Sequence, residues 1–259
     1  VKVACLMTFG NRRYRLIADA MAAGVRRCGD EAIVCPAAST PKADVGVMYG
    51  WKLSHFTRKY PQYIYADLGF WQRDTHYRMT VNGWSSDSYV KAGLSDARLK
   101  SFGVEVKPWN ESGNEILVVG SSRKSSQQHG FEYMEWERNA VEALKDSGRP
   151  IVYRPKPNDL EKQPIEGAGY DQRPLDEALA SAYAVVTHHS NVAVQALAAG
   201  VPVHCVTGAA AAFSCPLGEF TRQDGREQFL ADVAWLQWTL DEMRSGQYWA
   251  HLKERGLIC

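Results

Sequence analysis

Apolar runs of strand length alternate with stretches of helical spacing from the first residue onward. Residues 1–8 predict a buried strand, followed through Phe9-Gly10 by a helix over 11–28 in which Leu16, Ala20, Ala23 and Val25 recur near helical spacing. Gly29-Asp30 ends that helix. Strands follow at 32–35, 45–48 and 63–66, with a short helix at 53–59 that stops before Pro61. Residues 77–84 read as one more strand closing in a turn and 88–101 as a helix, inside a stretch from 70 to 112 whose pattern is otherwise mixed.

The segment Lys107-Pro108-Trp109-Asn110-Glu111-Ser112-Gly113 is polar and rich in chain breakers, and it reads as a linker. After it the alternation restarts, with strands at 115–119, 151–154, 184–187 and 201–206 and helices at 131–147, 175–181 and 191–199. Residues 226–255 carry a helical pattern throughout, with Phe229, Val233, Leu236, Leu240 and Met243 three or four apart and a break at Ser245-Gly246. Two strand–helix series predict an α/β chain of two Rossmann-like domains, 1–112 and 113–259, each built on an open, mostly parallel sheet. Ligands in such sheets bind beyond the strand C-terminal ends, so the expected site is the cleft between the halves.

Composition narrows the class: 259 residues, 45% apolar and 23% charged, exclude disorder, collagen and coiled coil. The six Cys show no C-x-x-C pair and no His cluster at metal-ligand spacing, so neither a zinc site nor a disulfide framework is expected. The apolar stretch 192–213 is interrupted by Gly200, Pro202, His204 and Gly208, which argues against a membrane span. With no secretory signal visible, a cytoplasmic location is expected. The net charge of +1 hides a polarity: residues 1–112 hold sixteen Lys/Arg against ten Asp/Glu, and 113–259 hold fourteen against nineteen. The first half thus suits an anionic partner, or else the two halves dock partly by opposite charge.

The densest chemistry lies at 184–206, A-V-V-T-H-H-S-N-V-A-V-Q-A-L-A-A-G-V-P-V-H-C-V. A strand ends in Thr187, the polar turn His188-His189-Ser190 follows, and a helix opens at Asn191, where backbone N–H groups and a hydroxyl converge as they do around a bound phosphate. A plain helix cap by Ser190 would leave the same pattern. The text Gln195-Ala196-Leu197-Ala198-Ala199-Gly200-Val201-Pro202-Val203 resembles the E-A-small-x-x-G-x-P-V segment in the nucleotide-binding half of GT-B type glycosyltransferases. That resemblance covers about residues 115–259 and implies a nucleotide-sugar donor, most simply a UDP-sugar, with its diphosphate at the helix start and no tightly bound cofactor. Gln195 stands where the family commonly has a ribose-holding Glu; an amide can still hydrogen-bond a diol. The loop through Gly120, Ser121, Arg123 and Lys124 could approach a pyrophosphate through its amides and cations, with a surface turn as the alternative. Tyr153-Arg154-Pro155-Lys156-Pro157 is similar to the R-P-x-P segment of polysaccharide-type transferases, which implies Arg154 or Lys156 beside donor phosphate. The helical tail resembles GT-B helices that cross back over the cleft. Without a D-x-D motif no metal is expected, in line with the family.

In the first half, Asp67 directly follows a strand in Asp67-Leu68-Gly69-Phe70-Trp71-Gln72-Arg73, similar to segments of phage proteins described as glycosyltransferases. An inverting transferase needs a base for the acceptor hydroxyl, and Asp67 is the first candidate, with an Asx turn or an ion pair to Arg73 as the structural alternative. His76 and Asp87 come next. The basic half, including Arg12, Arg13, Arg15, Arg26, Arg27, Arg58, Lys59, Arg73 and Arg78, would attract DNA, and Phe70, Trp71 or Trp84 would stack an extruded base. The leading expectation is therefore a hexosyltransferase acting on a 5-hydroxymethylated pyrimidine in phage-type DNA. A polysaccharide or lipid-linked glycan acceptor, or a non-catalytic nucleotide- or DNA-binding module, are the alternatives.

Overall fold

The structure, a computed structural model, describes residues 1–10, 12–83, 93–157 and 159–258. The chain divides into two compact units, Val1–Val90 with Val233–Cys259, and Lys91–Asp232. Each is an α/β unit with a largely parallel sheet.

In chain order the elements are β1 (Lys2–Met7), α1 (Arg12–Arg27), β2 (Glu31–Pro36), β3 (Val45–Tyr49), a 3₁₀ stretch Trp51–Lys59, β4 (Gln62–Leu68), β5 (His76–Val81) and α2 (Ala97–Ser101). Then come β6 (Glu115–Val119), α3 (Arg123–Gln128), α4 (Glu135–Leu144), β7 (Ile151–Arg154), β8 (Gly169–Tyr170), α5 (Leu175–Ser181), β9 (Ala182–Thr187), α6 (Val192–Ala198) and β10 (Val203–Cys205). The chain ends in α7 (Arg226–Ala234), β11 (Gln237–Thr239), α8 (Leu240–Ser245) and α9 (Gln247–Glu254).

Among the described residues the first sheet runs β11-β5-β4-β3-β1-β2. Strands β1 to β4 are parallel, and β5 is antiparallel to both β4 and β11. Val3, Ala4, Cys5 and Leu6 of β1 and all five residues of β3 are buried, the near-continuous apolar run that a central parallel strand requires. Helix α1 buries Tyr14, Ile17, Ala18 and Met21 on the sheet, while Arg12, Arg15, Arg26 and Arg27 stay exposed. Its Gly24 meets the backbone of α8 so closely that a Cβ there would lie 1.9 Å from the Met243 carbonyl oxygen. The second sheet runs β10-β9-β6-β7-β8, all parallel. Its strand order reverses between β6 and β9, and in the first sheet the reversal falls between β1 and β3.

Three expectations on organisation are corrected. The break between compact units falls at 90/91, not at 112/113, and residues 233–259 belong with the first unit. The supposed linker is an ordered part of the second unit: the Lys107 N–H donates to Ala198 O at 2.9 Å, the Asn110 N–H to Gly200 O at 2.7 Å, and the Arg226 guanidinium lies 3.9 Å from the Trp109 ring centre. The tail is not wholly helical either, because Gln237–Thr239 pairs with β5 as β11. Strand β8 and helix α3 were also not visible as periodic patterns; each spans six residues or fewer. The charge polarity survives the corrected boundary. The first unit holds fifteen Lys/Arg against ten Asp/Glu and the second fifteen against nineteen, because 233–259 contributes three of each sign.

Candidate functional site

The reversal between β6 and β9 leaves the loops after them on diverging sides, and the residues there are polar. Thr187 closes β9 and its hydroxyl donates to Val119 O of β6 at 3.1 Å, tying the two strand ends together. The same Thr187 oxygen accepts the Ser190 N–H at 3.3 Å, and the Ser190 hydroxyl oxygen accepts the Val192 N–H at 3.2 Å. The Ser190 side chain thus holds the turn just ahead of the seven-residue helix α6, whose N-cap is Asn191, a residue that makes no side-chain cap bond of its own. Gln195 is half-buried on that helix and Asn191 precedes its first turn. Gly200 holds φ +81°, and a Cβ there would sit 2.0 Å from Pro108 O, so the motif glycine serves the packing of 107–110.

The turn itself carries a group of imidazoles. His188 is buried, at 7% exposure, against Phe131 and Trp136, with ring centres 5.3 and 5.6 Å away. Its Nδ1 is 3.1 Å from His189 Nδ1, and its ring centre is 4.5 Å from that of His129 at the C-terminus of α3. Burial, and after it the nearby His129, push the His188 imidazole down to about 4 from its ordinary 6.5. His188 is therefore neutral at neutral pH, a donor or acceptor of hydrogen bonds and not a cation that would balance phosphate charge. Sequence reasoning missed His129, Phe131 and Trp136, because only the α3–α4 segment brings them here.

The loop after β6 behaves differently from expectation. The Gly120 N–H donates to Arg154 O at 2.9 Å and the Ser121 N–H to buried Glu137 Oε1 at 2.6 Å, so both amides proposed for a pyrophosphate are committed within the protein. Ser122 caps α3 by accepting the Ser125 N–H. Arg123 pairs with Glu161 and lies 4.8 Å over the Tyr133 ring, and it lines a cavity of about 780 Å³ with Arg138, Tyr133, Glu132 and Glu161. Lys124 lies in α3. Arg154 is likewise committed: its guanidinium pairs with Asp171, whose side chain is 1% exposed, and donates to Arg173 O at 2.7 Å. Arg173 bridges Asp171 and Glu115 in turn. Lys156 is exposed beyond β7.

In the first unit Asp67 lies in β4 next to its last residue, directly across from Arg78 of β5. Its ion-pair partner is that buried Arg78, at 3.6 Å, which replaces the expected Arg73. Asp67 also accepts the Leu68 N–H at 2.7 Å. Arg73 is exposed on the β4–β5 connection, and His76, at the start of β5, shares a 2.9 Å hydrogen bond with Thr75 Oγ1. The chain just beyond Asp67 is held by the tail: the Phe70 and Trp71 N–H groups both donate to the buried Gln237 side chain of β11. Burial first, and then the Asp67 carboxylate, push the phenols of Tyr14, Tyr49 and Tyr65 upward. Phe70 is fully buried under Arg78, 5.3 Å from its ring centre, and so cannot stack an extruded base; Trp71 is half-buried. Trp84 and Asp87 lie outside the described residues.

These two doubly wound units, the second with parallel order β10-β9-β6-β7-β8, define a chain of the GT-B fold class. The chain aligns with the Thermosulfurimonas dismutans KpsC beta Kdo 2,7 transferase at a TM-score of 0.56 and 15% identity, covering 90% of this chain and 89% of that one. The KpsC beta Kdo 2,4 transferase of the same organism aligns at 0.53 and 11% identity, again covering 90% and 89%. At these identities the likeness establishes the fold. No protein-family model matches the chain, and no curated protein matches it in sequence. Among the described residues no helix is long and apolar enough to cross a membrane.

Proposed function

We propose that the protein is a glycosyltransferase that takes a nucleotide-activated sugar at the end of β6 and β9 in the second unit and transfers the sugar to a hydroxyl. The observation that carries this reading is the reversal of strand order there, with the polar turn 188–191 standing over it. His189 and Asn191 beside the α6 start, Lys124 in the first turn of α3 and Lys156 on the loop beyond β7 are the groups proposed to meet donor phosphate, and Gln195 the ribose hydroxyls. Arg123, Arg154, Gly120 and Ser121 hold the loops that carry these groups, and the Ser190 hydroxyl holds the turn. In the first unit Asp67 is proposed as the base for the acceptor hydroxyl, since its side chain remains 37% exposed beside its Arg78 partner.

A glycan is the acceptor we favour, in keeping with the structural likeness to the KpsC Kdo transferases. Hydroxymethylated DNA is the second reading, favoured by the surplus of five positive charges on the first unit, although neither fold nor comparison speaks for it. The test is mass spectrometry of glycan and hydroxymethylated-DNA acceptors after incubation with UDP-sugars and with a nucleotide-activated Kdo. Hydrogen exchange on the protein runs alongside. Sugar added to one acceptor, with nucleotide-dependent protection around 186–195, is expected. Absence of transfer together with absence of that protection overturns the proposal.

A further inference from the structure

We propose that His129, His188 and His189 form a three-imidazole site for a borderline divalent transition metal, zinc being the type ion, with one coordination position left open. The proposal does not rest on the glycosyltransferase reading, although His189 and the turn after β9 belong to both. The three side chains each offer one ring nitrogen, and these nitrogens all lie within 4.8 Å of one another. Tetrahedral zinc bound at about 2.0–2.1 Å sets neighbouring ligand nitrogens about 3.3 Å apart. The His188 and His189 Nδ1 atoms, at 3.1 Å, already stand at that spacing. Since no separation among the three ligand nitrogens exceeds 4.8 Å, reaching that value requires each to shorten by about 1.5 Å at most, within reach of ring rotation about the terminal side-chain torsion.

The ligands come from two pieces of backbone, the end of α3 and the turn after β9. His129 closes α3, its N–H donating to Ser125 O at 3.2 Å and Ser126 O at 3.0 Å. His188 is fixed by the Thr207 N–H, which donates to its carbonyl at 2.8 Å. Phe131 and Trp136 meet the His188 ring edge-on, the apolar surround that orients a metal-binding imidazole and limits water around it. His129 and His189 are only half-buried, which gives an ion a path in. Because the donor set is nitrogen alone, it selects zinc, cobalt, nickel or copper over magnesium or calcium, which need oxygen ligands. Three histidines with a vacant fourth position are also the arrangement of metal sites that activate a bound oxygen, where closed structural sites fill all four.

The untagged full-length protein, stripped with a chelator, is titrated with cobalt(II), followed by its visible absorption, and then challenged with zinc. One equivalent of cobalt in a tetrahedral-type spectrum, displaced by zinc, is expected. His129→Gln and His189→Gln should each weaken cobalt binding by more than about 100-fold, beyond the roughly 10–100-fold typical of changes behind the ligands. His55→Gln, at an exposed position outside the cluster, should leave it unchanged. Circular dichroism melts confirm folding, and the two half-buried positions keep the test valid if a His188 variant fails to fold. An aqua-ion spectrum at all ratios, or affinity unchanged in both variants, overturns the proposal. No nucleotide enters the titration, so its failure leaves the transferase reading standing and its success does not depend on it.

Discussion

The Asp67 carboxylate lies 3.6 Å from the guanidinium of Arg78, its direct partner across the β4–β5 register and only 4% exposed. Burial pulls the Arg78 guanidinium down from its ordinary value, and Asp67 is the first group opposing that pull. One carboxylate therefore has two duties, and they separate by experiment. Asp67→Asn leaves a buried cation short of its counter-charge, and we expect it to cost about 1–3 kcal/mol in urea denaturation. Adding Arg78→Met should restore much of that stability. Turnover should stay at least about 100-fold down in both variants if Asp67 is the base. Recovery of turnover with stability would reduce Asp67 to the partner of Arg78.

Arg154 and Lys156, two residues apart in one proline-rich segment, should respond in opposite ways. Arg154→Ala removes a charge-assisted hydrogen bond from the buried Asp171, leaving Arg173 as its cationic partner, and should lower stability by about 1–3 kcal/mol. Nucleotide affinity should change little. Lys156→Ala should keep the melting temperature and weaken nucleotide binding in calorimetry. The reverse pattern would return Arg154 to the donor site.

His188 makes stability depend on pH. The group is neutral in the folded protein down to about 4, while in the unfolded chain it takes a proton near 6.5. Stability from this group is therefore fully present above about pH 6.5 and is lost as pH falls toward 4, an upper bound of roughly 3 kcal/mol. His188→Phe in metal-free protein should flatten the stability profile between those values. Equal slopes for the two proteins, measured by urea denaturation at several pH values, would contradict this.

Gly24 lets α1 and α8 touch backbone to backbone. Gly24→Ala should force the helices apart and cost about 1–3 kcal/mol, read as a lowered melting temperature. Hydrogen exchange should localise the loss to 240–254. An unchanged melt would mean that the tail shifts freely to accept a methyl group.

Local pattern was enough to read most strands and helices. Strands β6 and β7 and helix α5 fall where their apolar spacing predicts, because a strand buried on both faces or a helix with one apolar side writes its period into consecutive residues. The doubly wound class followed from that alternation, and so did the polar turn after β9. What tertiary structure alone decided involves partners far apart in the chain. Trp235 to Leu240 fits helical spacing, yet Gln237–Thr239 becomes a strand because β5 offers it an open edge. Asp30 accepts hydrogen bonds from Trp249 and Lys253, more than two hundred residues away, and so helps assign the tail to the first unit. Arg78 displaced Arg73 as the partner of Asp67 because cross-strand register, not nearness in sequence, places charges opposite one another. His129 met His188 and His189 only through the fold of α3 onto the β9 turn, since ligating groups fifty-nine residues apart share no local period.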